Sequence, residues 1–497
     1  MSERMSAEKL GELILDPGSF VRWDEPLIPR PGLDPGYEAE LQRAQTSTGL
    51  DESVVTGEGR IAGRRIALIA CEFSFLAGSI GVAAAGRLVR AIERATQERL
   101  PLVAAPNSGG TRMQEGTIAF VQMVKISIAV VKHRSAGLPY LVYIRNPTTG
   151  GVFASWGSLG HVTVAEPGAL IGFLGPRVYN ALHGEPFPVG VQVAENLLQH
   201  GIIDAVIPAE QLAEVAERAL DVLDYDRSAI HLLPATEDEA IPDIPAWDSI
   251  QRSRQAGRPG VRELMTYAGT NITPLEGTGA GEMEPGLYCA LAKFGQAPCI
   301  VLGHDRQAEK LGPMGPAGLR EARRGFAIAK ELGLPVVTVI DTAGLALSKD
   351  AEEGGLAGEI ARCLGELVML PVPTICLILG QGSGGGALAL LPADRVISTQ
   401  HGWLSPLPPE GASAIMYRTT DRASEIAHSQ GVRSLDLLRN GIVDRVIAEG
   451  TDARQAPEEL MRKLGRVLEQ EITALLLTDP EKRLAQRLER YNRLGIW

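Results

Sequence analysis

Leu197–Ile207 reads LLQHGIIDAVI, and Leu437–Ile447 reads LLRNGIVDRVI. The match places Gly201 on Gly441, an offset of 240 residues. Working outward, GLPYLVYI (Gly137–Ile144) and LPVPTICLIL (Leu370–Leu379) each lead into a glycine-rich turn. Those turns are PTTGG, ending at Gly151, and GSGGG, ending at Gly386, an offset of 235. Earlier still, LPLVAAPNSGG (Leu100–Gly110) parallels LPVVTVIDTAG (Leu334–Gly344), an offset of 234. Three landmarks in one order at nearly one offset imply two homologous domains of about 200 residues each.

Within each domain, short β-branched apolar runs bounded by Gly or Pro read as buried strands. Amphipathic stretches lie between them, RLVRAIERATQE (Arg87–Glu98) in the first half and GLREARRGFAIAKEL (Gly318–Leu332) in the second. That alternation predicts an α/β fold with mostly parallel strands. The expected organisation is an extension over 1–50, a first domain over 51–230, a Pro-rich acidic linker over 231–258, a second domain over 259–455, and a charged, surface-exposed helical tail over 456–497. The linker has room for one short helix.

Composition narrows the class. The 497 residues are 45% hydrophobic and 22% charged, with a formal net charge of −12. An acidic chain argues against nucleic acid, whose binding rests on neutralising phosphates. No apolar run reaches the roughly 18 residues of a membrane helix, and Met1–Leu15 lacks a signal-peptide core; no membrane association and a cytoplasmic location are expected. The five cysteines contain no C-x-x-C pair, so no zinc is expected and buried reduced thiols are.

Four glycine-rich turns follow strands: Ser108-Gly109-Gly110, Thr149-Gly150-Gly151, Ala343-Gly344 and Gly384-Gly385-Gly386. Gly150/Gly151 and Gly385/Gly386 precede small-residue stretches expected to be helical. A strand turning through Gly-Gly into a helix presents unpaired N–H groups, which suit a developing oxyanion such as a thioester enolate. Ordinary tight turns are the alternative, and the recurrence in both halves favours the functional reading. Neither G-x-S-x-G nor H-E-x-x-H occurs. No histidine recurs at equivalent positions; His161 and His401 come nearest, and a structural role is expected of each. Ser383 reads as a turn residue, since no base can be assigned to it. The chemistry therefore rests on positioning and oxyanion stabilisation.

At these residues a family resemblance stands out. EFSFLAGSIG (Glu72–Gly81), SGGTRMQE (Ser108–Glu115), PTTGGVFASW (Pro147–Trp156) and AEPGALIGFLGPRV (Ala165–Val178) resemble the beta subunit of bacterial acetyl-CoA carboxylase carboxyltransferase. IDTAG (Ile340–Gly344), AEEGGLAGEIARCL (Ala351–Leu364), GQGSGGGALAL (Gly380–Leu390) and PEGASAI (Pro409–Ile415) resemble its alpha subunit. The resemblance implies two tandem crotonase-like ββα-superhelix domains. It also implies carboxyl transfer from carboxybiotin, borne by a biotinylated carrier or biotin carboxylase subunit, to the α-carbon of an acyl-CoA, with acetyl-CoA favoured. By the same carry-over, Gly150 and Gly151 form the acyl-CoA oxyanion hole, and Gly385 and Gly386 hold the biotin ureido oxygen. Ser108, Gly109, Gly110, Gly344 and Gly384 would line the cofactor sites, and a homodimer or larger ring is implied.

Two departures matter. The beta subunit's four-cysteine zinc ribbon is absent, and the alpha subunit's Asp-Thr-Pro-Gly turn reads Asp341-Thr342-Ala343-Gly344 here. For the CoA phosphates Arg112 is the first choice, followed by Lys125 and Arg177. The basic run Arg306, Lys310, Arg320, Arg323 and Arg324 reads as a solvated face or a carrier dock. Competing readings are a malonyl-thioester decarboxylase, an enoyl-CoA hydratase or isomerase with Glu115 as its carboxylate, and a non-catalytic scaffold.

Overall fold

The computed structural model describes residues 5–27, 32–234, 236, 239–450 and 453–495. The chain divides into two compact units, Met1–Asp224 and Tyr225–Trp497. Each is built on the same plan. In the first, strands Val54–Ile61 and Arg64–Cys71 form an antiparallel hairpin. Leu102–Ala105, Tyr140–Ile144, Val162–Ala165 and Ala205–Val206 then add in parallel. In the second, the hairpin is Leu287–Phe294 with Ala297–His304. The parallel strands are Val336–Thr342, Thr374–Ser383, Arg395–Thr399 and Arg445–Ile447.

The strands are nearly unbroken apolar runs, as expected where both faces are covered. Helix Val82–Gln97 carries Ala84, Ala85, Leu88, Val89, Ala91, Ile92 and Ala95 on its buried face, the spacing of an amphipathic helix. Full burial of a side chain such as Leu88 or Ile92 contributes roughly 1.5–3 kcal/mol. The repeated GIxDxVI motif acts alike in both units. Asp204 accepts the Thr163 N–H and Asp444 the Val396 N–H, at 2.8 and 2.7 Å, tying each motif to the neighbouring strand.

Three expectations change. The tail is helical but not a surface appendage. Helix Pro457–Leu476 buries Leu460, Met461, Leu464, Val467, Leu468, Ile472 and Leu475. A Cβ on its Gly465 would lie 2.5 Å from the Ala268 Cβ, so glycine is what lets helices Pro457–Leu476 and Val261–Ala268 close on each other. Arg487 in helix Pro480–Arg493 is fully buried, bonding Asp394 and the carbonyls of Leu370 and Val372. The short helix allowed for in 231–258 is present as Ala246–Ser253, but among the described residues this segment is docked rather than free. Helix Ala246–Ser253 buries Ala246 and Ile250 against Trp403, Ala427 and Val432, and Arg258 forms a buried pair with Glu449. Part of the charge in both segments, Arg258, Arg483 and Arg487, is buried in internal clamps.

The third concerns helix Gly116–Ser135. With its leading turn, Met113–Ser135 is, by length and composition, apolar enough to cross a membrane. Lys125 and Lys132 interrupt its apolar pattern, so the expectation that no stretch reaches that length does not hold for this helix. Ala119, Met123, Ile126, Ala129 and Val130 face the core, while Ile118, Phe120, Val121, Val124 and Ile128 are exposed.

Candidate functional site

Strand Tyr140–Ile144 leads through Pro147 into Thr148–Thr149, which pairs in parallel with Ile171–Gly172. Gly150 follows at φ +66°, a left-handed conformation that favours glycine. Its N–H is taken by the carbonyls of Gly172 and Phe173, at 3.2 and 3.0 Å. Among the described residues nothing accepts from the Gly151 N–H. The expected pair of donors is therefore corrected: Gly150 bends the chain and Gly151 presents the donor. The following stretch is not an α-helix. The Ser155 hydroxyl donates to the Gly151 carbonyl at 2.5 Å, and the Gly157 N–H reaches back to Val152. This competes with the helical ladder. A turn results, followed by a 3-10 helix at Trp156–Ser158.

The Ser108-Gly109-Gly110 turn lies underneath. Ser108 N–H donates to the Pro147 carbonyl, Gly109 N–H to Ala77, and Gly110 N–H to the Ser108 hydroxyl. These N–H groups are thus committed internally and do not present donors to a cofactor, contrary to expectation. A Cβ on Gly110 would lie 3.3 Å from the Thr149 carbonyl and 3.5 Å from the Gly150 Cα, so this turn braces the next one.

Arg112 requires a larger correction. It is fully buried, paired with Glu52 and also donating to Tyr37, Ser53 and the Ser79 carbonyl. Burial works against its charge, yet the Glu52 carboxylate holds its pKa above the ordinary value. The same burial pushes the Tyr37 hydroxyl up to about 12. Arg112 is a structural cation and cannot reach a phosphate. Lys125 is exposed on helix Gly116–Ser135, and the Arg177 side chain lies outside the described residues. Glu115 accepts from the Tyr37 hydroxyl and the Val82 N–H, a bracing role. The basic run of the second half is mostly paired: Arg306 with Asp341, Arg320 with Glu282, Arg323 with Glu359 and Glu366.

In the second unit, strand Thr374–Ser383 passes directly into helix Gly384–Ala389. Ser383 makes no side-chain capping bond, so the N–H groups of Gly384, Gly385 and Gly386 begin the helix without intrahelical partners. A Cβ on Gly385 would meet Ile360 at 2.7 Å, and one on Gly386 would meet Leu345 at 2.8 Å. Gly344 N–H donates to the Thr342 hydroxyl at 3.0 Å, the counterpart of Gly110 on Ser108. Gly344 is therefore not a free donor either, but it lines a cavity of about 310 Å³ with Gly286, His304, Met314, Asp341 and Leu345.

Asp341 is buried and accepts from Arg306 and the Gln381 N–H at 3.1 and 3.0 Å. Burial raises its carboxyl pKa against the pull of Arg306. Both His304 ring nitrogens and the Ser383 hydroxyl are buried without a hydrogen-bond partner. Burial drives His304 down to about 4, which leaves a neutral imidazole. The internal repeat does not single out His304, because no histidine stands at its counterpart in the first unit. Strand register equates His304 with Cys71, since Leu287 pairs with His304 as Val54 pairs with Cys71. A polar residue ending the run PCIVLGH was the signal available. His161 accepts from the Tyr140 N–H and His401 lies against Ser249; both are buried structural residues. All five cysteines are buried outside any disulfide. Among the described residues no cluster of His, Cys, Asp and Glu could hold a metal ion.

The carboxyl transferase domain family matches residues 11–484. A Mycobacterium tuberculosis protein named "Probable biotin-dependent acyl-coenzyme A carboxylase beta3 subunit" is 57% identical over 99% of both chains. The "Acetyl-coenzyme A carboxylase carboxyl transferase subunits beta/alpha" of Salinispora tropica is 35% identical over 98% of this chain and 90% of its own. Among solved structures, transcarboxylase 12S superposes with a TM-score of 0.74 at 22% identity, covering 94% of this chain and 90% of its own. The fold is accordingly crotonase-like in both units. The chain belongs to the carboxyl transferase family, the carboxyltransferase components of biotin-dependent acyl-CoA carboxylases.

Proposed function

We propose that this protein moves a carboxyl group from carboxybiotin, borne by a biotinylated partner subunit, to the α-carbon of acetyl-CoA, forming malonyl-CoA. The observation that carries the reading is the Gly151 N–H, unclaimed by any acceptor among the described residues. A thioester oxygen gains negative charge as its α-proton leaves. A fixed N–H at that oxygen lowers the barrier by binding the charge more strongly than the ground state. Gly150 sets the direction of that N–H, and the Gly110 turn beneath it resists displacement.

The second unit fits the biotin side. Methyl-free Gly385 and Gly386 leave a cradle that Ile360 and Leu345 would otherwise crowd, and three helix-start N–H groups lie along it. Carboxybiotin supplies the carboxyl group when bound. The chain's residues hold its ureido oxygen at the Gly384–Gly386 turn and bind the thioester at Gly151. Near the Gly151 turn, Glu115, the carboxylate the sequence offered, is committed to Tyr37 and Val82, which suits a reaction in which the biotin nitrogen accepts the α-proton.

Oligomerisation is part of the proposal. The exposed apolar stripe Ile118, Phe120, Val121, Val124 and Ile128 is the kind of surface a second copy covers. The cytoplasm is the proposed compartment, where five buried thiols stay reduced. The test is carboxylation of acetyl-, propionyl- and butyryl-CoA with the biotinylated partner. Acetyl-CoA is expected to give the highest kcat/KM. Release of CO2 from malonyl-CoA in the absence of biotin would instead indicate a decarboxylase.

A further inference from the structure

His304 ends the hairpin strand Ala297–His304 and forms part of the cavity wall beside Gly344 and Leu345. Its Nε2 lies 3.5 Å from the position a Cβ would take on Gly386. Only 2% of the residue is exposed, and neither ring nitrogen has a partner at ordinary hydrogen-bond geometry, the Val339 backbone being the one group that acts on the ring. Leaving a buried donor or acceptor unsatisfied costs about 1–3 kcal/mol. A native orphan of this kind is met by an ordered water or by a ligand, and its place on the cavity wall beside Gly386 favours the ligand.

The neighbouring carboxylates do not fill the role. Asp305 is held by Arg262 at 2.6 Å and by the Gln307 N–H at 3.0 Å. Asp341 is held by Arg306 and the Gln381 N–H. Nor does the fold demand an imidazole at this position, because the equivalent register position of the first unit holds Cys71. The ring is therefore specific to the side on which the Gly384–Gly386 turn lies.

We propose that the Nε2–H of His304 donates a hydrogen bond to the ureido group of biotin received at the Gly384–Gly386 turn. This rests on the proposed function and names a side chain that would recognise biotin there. A neutral imidazole suits the role. It donates to a group gathering negative charge without giving up its proton, so no bond to the ring forms or breaks. Burial, which keeps the ring uncharged, outweighs the opposite pull of the Val339 backbone.

The test uses the full-length protein with free biotin as probe. His304→Cys removes the donor and installs the side chain the sister position already tolerates; His304→Gln keeps a side-chain N–H. In histidine-15N-labelled protein, one ring N–H resonance should move downfield on adding biotin and be missing from both variants. By equilibrium dialysis, His304→Cys should bind free biotin about tenfold more weakly, the worth of one hydrogen bond. His304→Gln should stay within about threefold of wild type. Carboxyl transfer from malonyl-CoA to free biotin, with the KM for malonyl-CoA unchanged, should follow the same order. Wild-type protein that neither binds biotin nor transfers carboxyl would sink the proposed function itself. Wild-type protein that does both, beside a His304→Cys variant equal to it in binding and with no shifted resonance, overturns the role of His304 alone.

Discussion

Arg112 and Glu52 form an ion pair with side-chain exposures of 0% and 2%, Nη1 lying 2.8 Å from Oε2. Arg112→Ala leaves the Glu52 carboxylate buried without its partner, which costs about 3–5 kcal/mol. Urea unfolding should show that loss, while the folded fraction keeps the wild-type KM for acyl-CoA. A stable variant with KM raised tenfold would return Arg112 to the phosphate site.

Gly151→Ala should fold, because the added methyl meets Met123 Cγ at 3.1 Å and Thr111 Oγ1 at 3.2 Å, side-chain atoms able to yield. The N–H survives the substitution, so the rate falls only as far as the methyl holds the thioester oxygen away from it; full loss of one oxyanion interaction costs about 10²–10³ in rate. The fall should appear in kcat more than in KM, since the interaction strengthens in the transition state. Gly150→Ala should fail differently, losing about 1–2 kcal/mol of stability through its left-handed backbone. A folded Gly151→Ala protein with more than a third of the wild-type rate would make this turn purely structural.

On the biotin side, Gly386→Ala places a methyl 2.8 Å from Leu345. Carboxyl transfer to and from free biotin should both slow by tenfold or more, with acyl-CoA binding intact. Pairing it with Leu345→Ala should restore part of the rate if crowding is the cause. No recovery would point to the N–H groups themselves.

The outer stripe of helix Gly116–Ser135 can be tested by charge. Val124→Asp or Ile128→Asp puts a carboxylate in the middle of the exposed apolar row. Light scattering should find wild-type protein dimeric or larger and these variants reduced in mass. An active wild-type monomer would contradict the assembly.

Glu321 has one carboxylate oxygen without a partner, and burial, reinforced by Glu276, pushes it up to about 8. A carboxyl pKa raised on folding contributes stability that is complete below about 4.5. That contribution is lost as pH rises through about 8, at no more than about 1.4 kcal/mol per pH unit. Glu321→Gln should flatten the fall of Tm between pH 5 and 8 and be the more stable protein at pH 8. An unchanged slope would show that Glu321 is already ionised in the fold.

The sequence by itself determined the duplication, the α/β class and the two glycine turns proposed to carry the chemistry. Local patterning and backbone freedom control all three, and both are written in residue order. Gly151 and Gly386 were legible because a Gly-Gly turn after an apolar run has few other uses when it recurs. The tertiary structure decided which N–H groups remain available, and so separated Gly151 from Gly150 and from the committed Gly110 and Gly344. It moved Arg112 from a phosphate site to a buried pair, because its partner Glu52 lies 60 residues away in the chain. It drew the tail into the core through Gly465 and Arg487, and it isolated His304, whose significance lies only in what fails to surround it. Burial and partnership are properties of packed neighbours, and no local pattern encodes them.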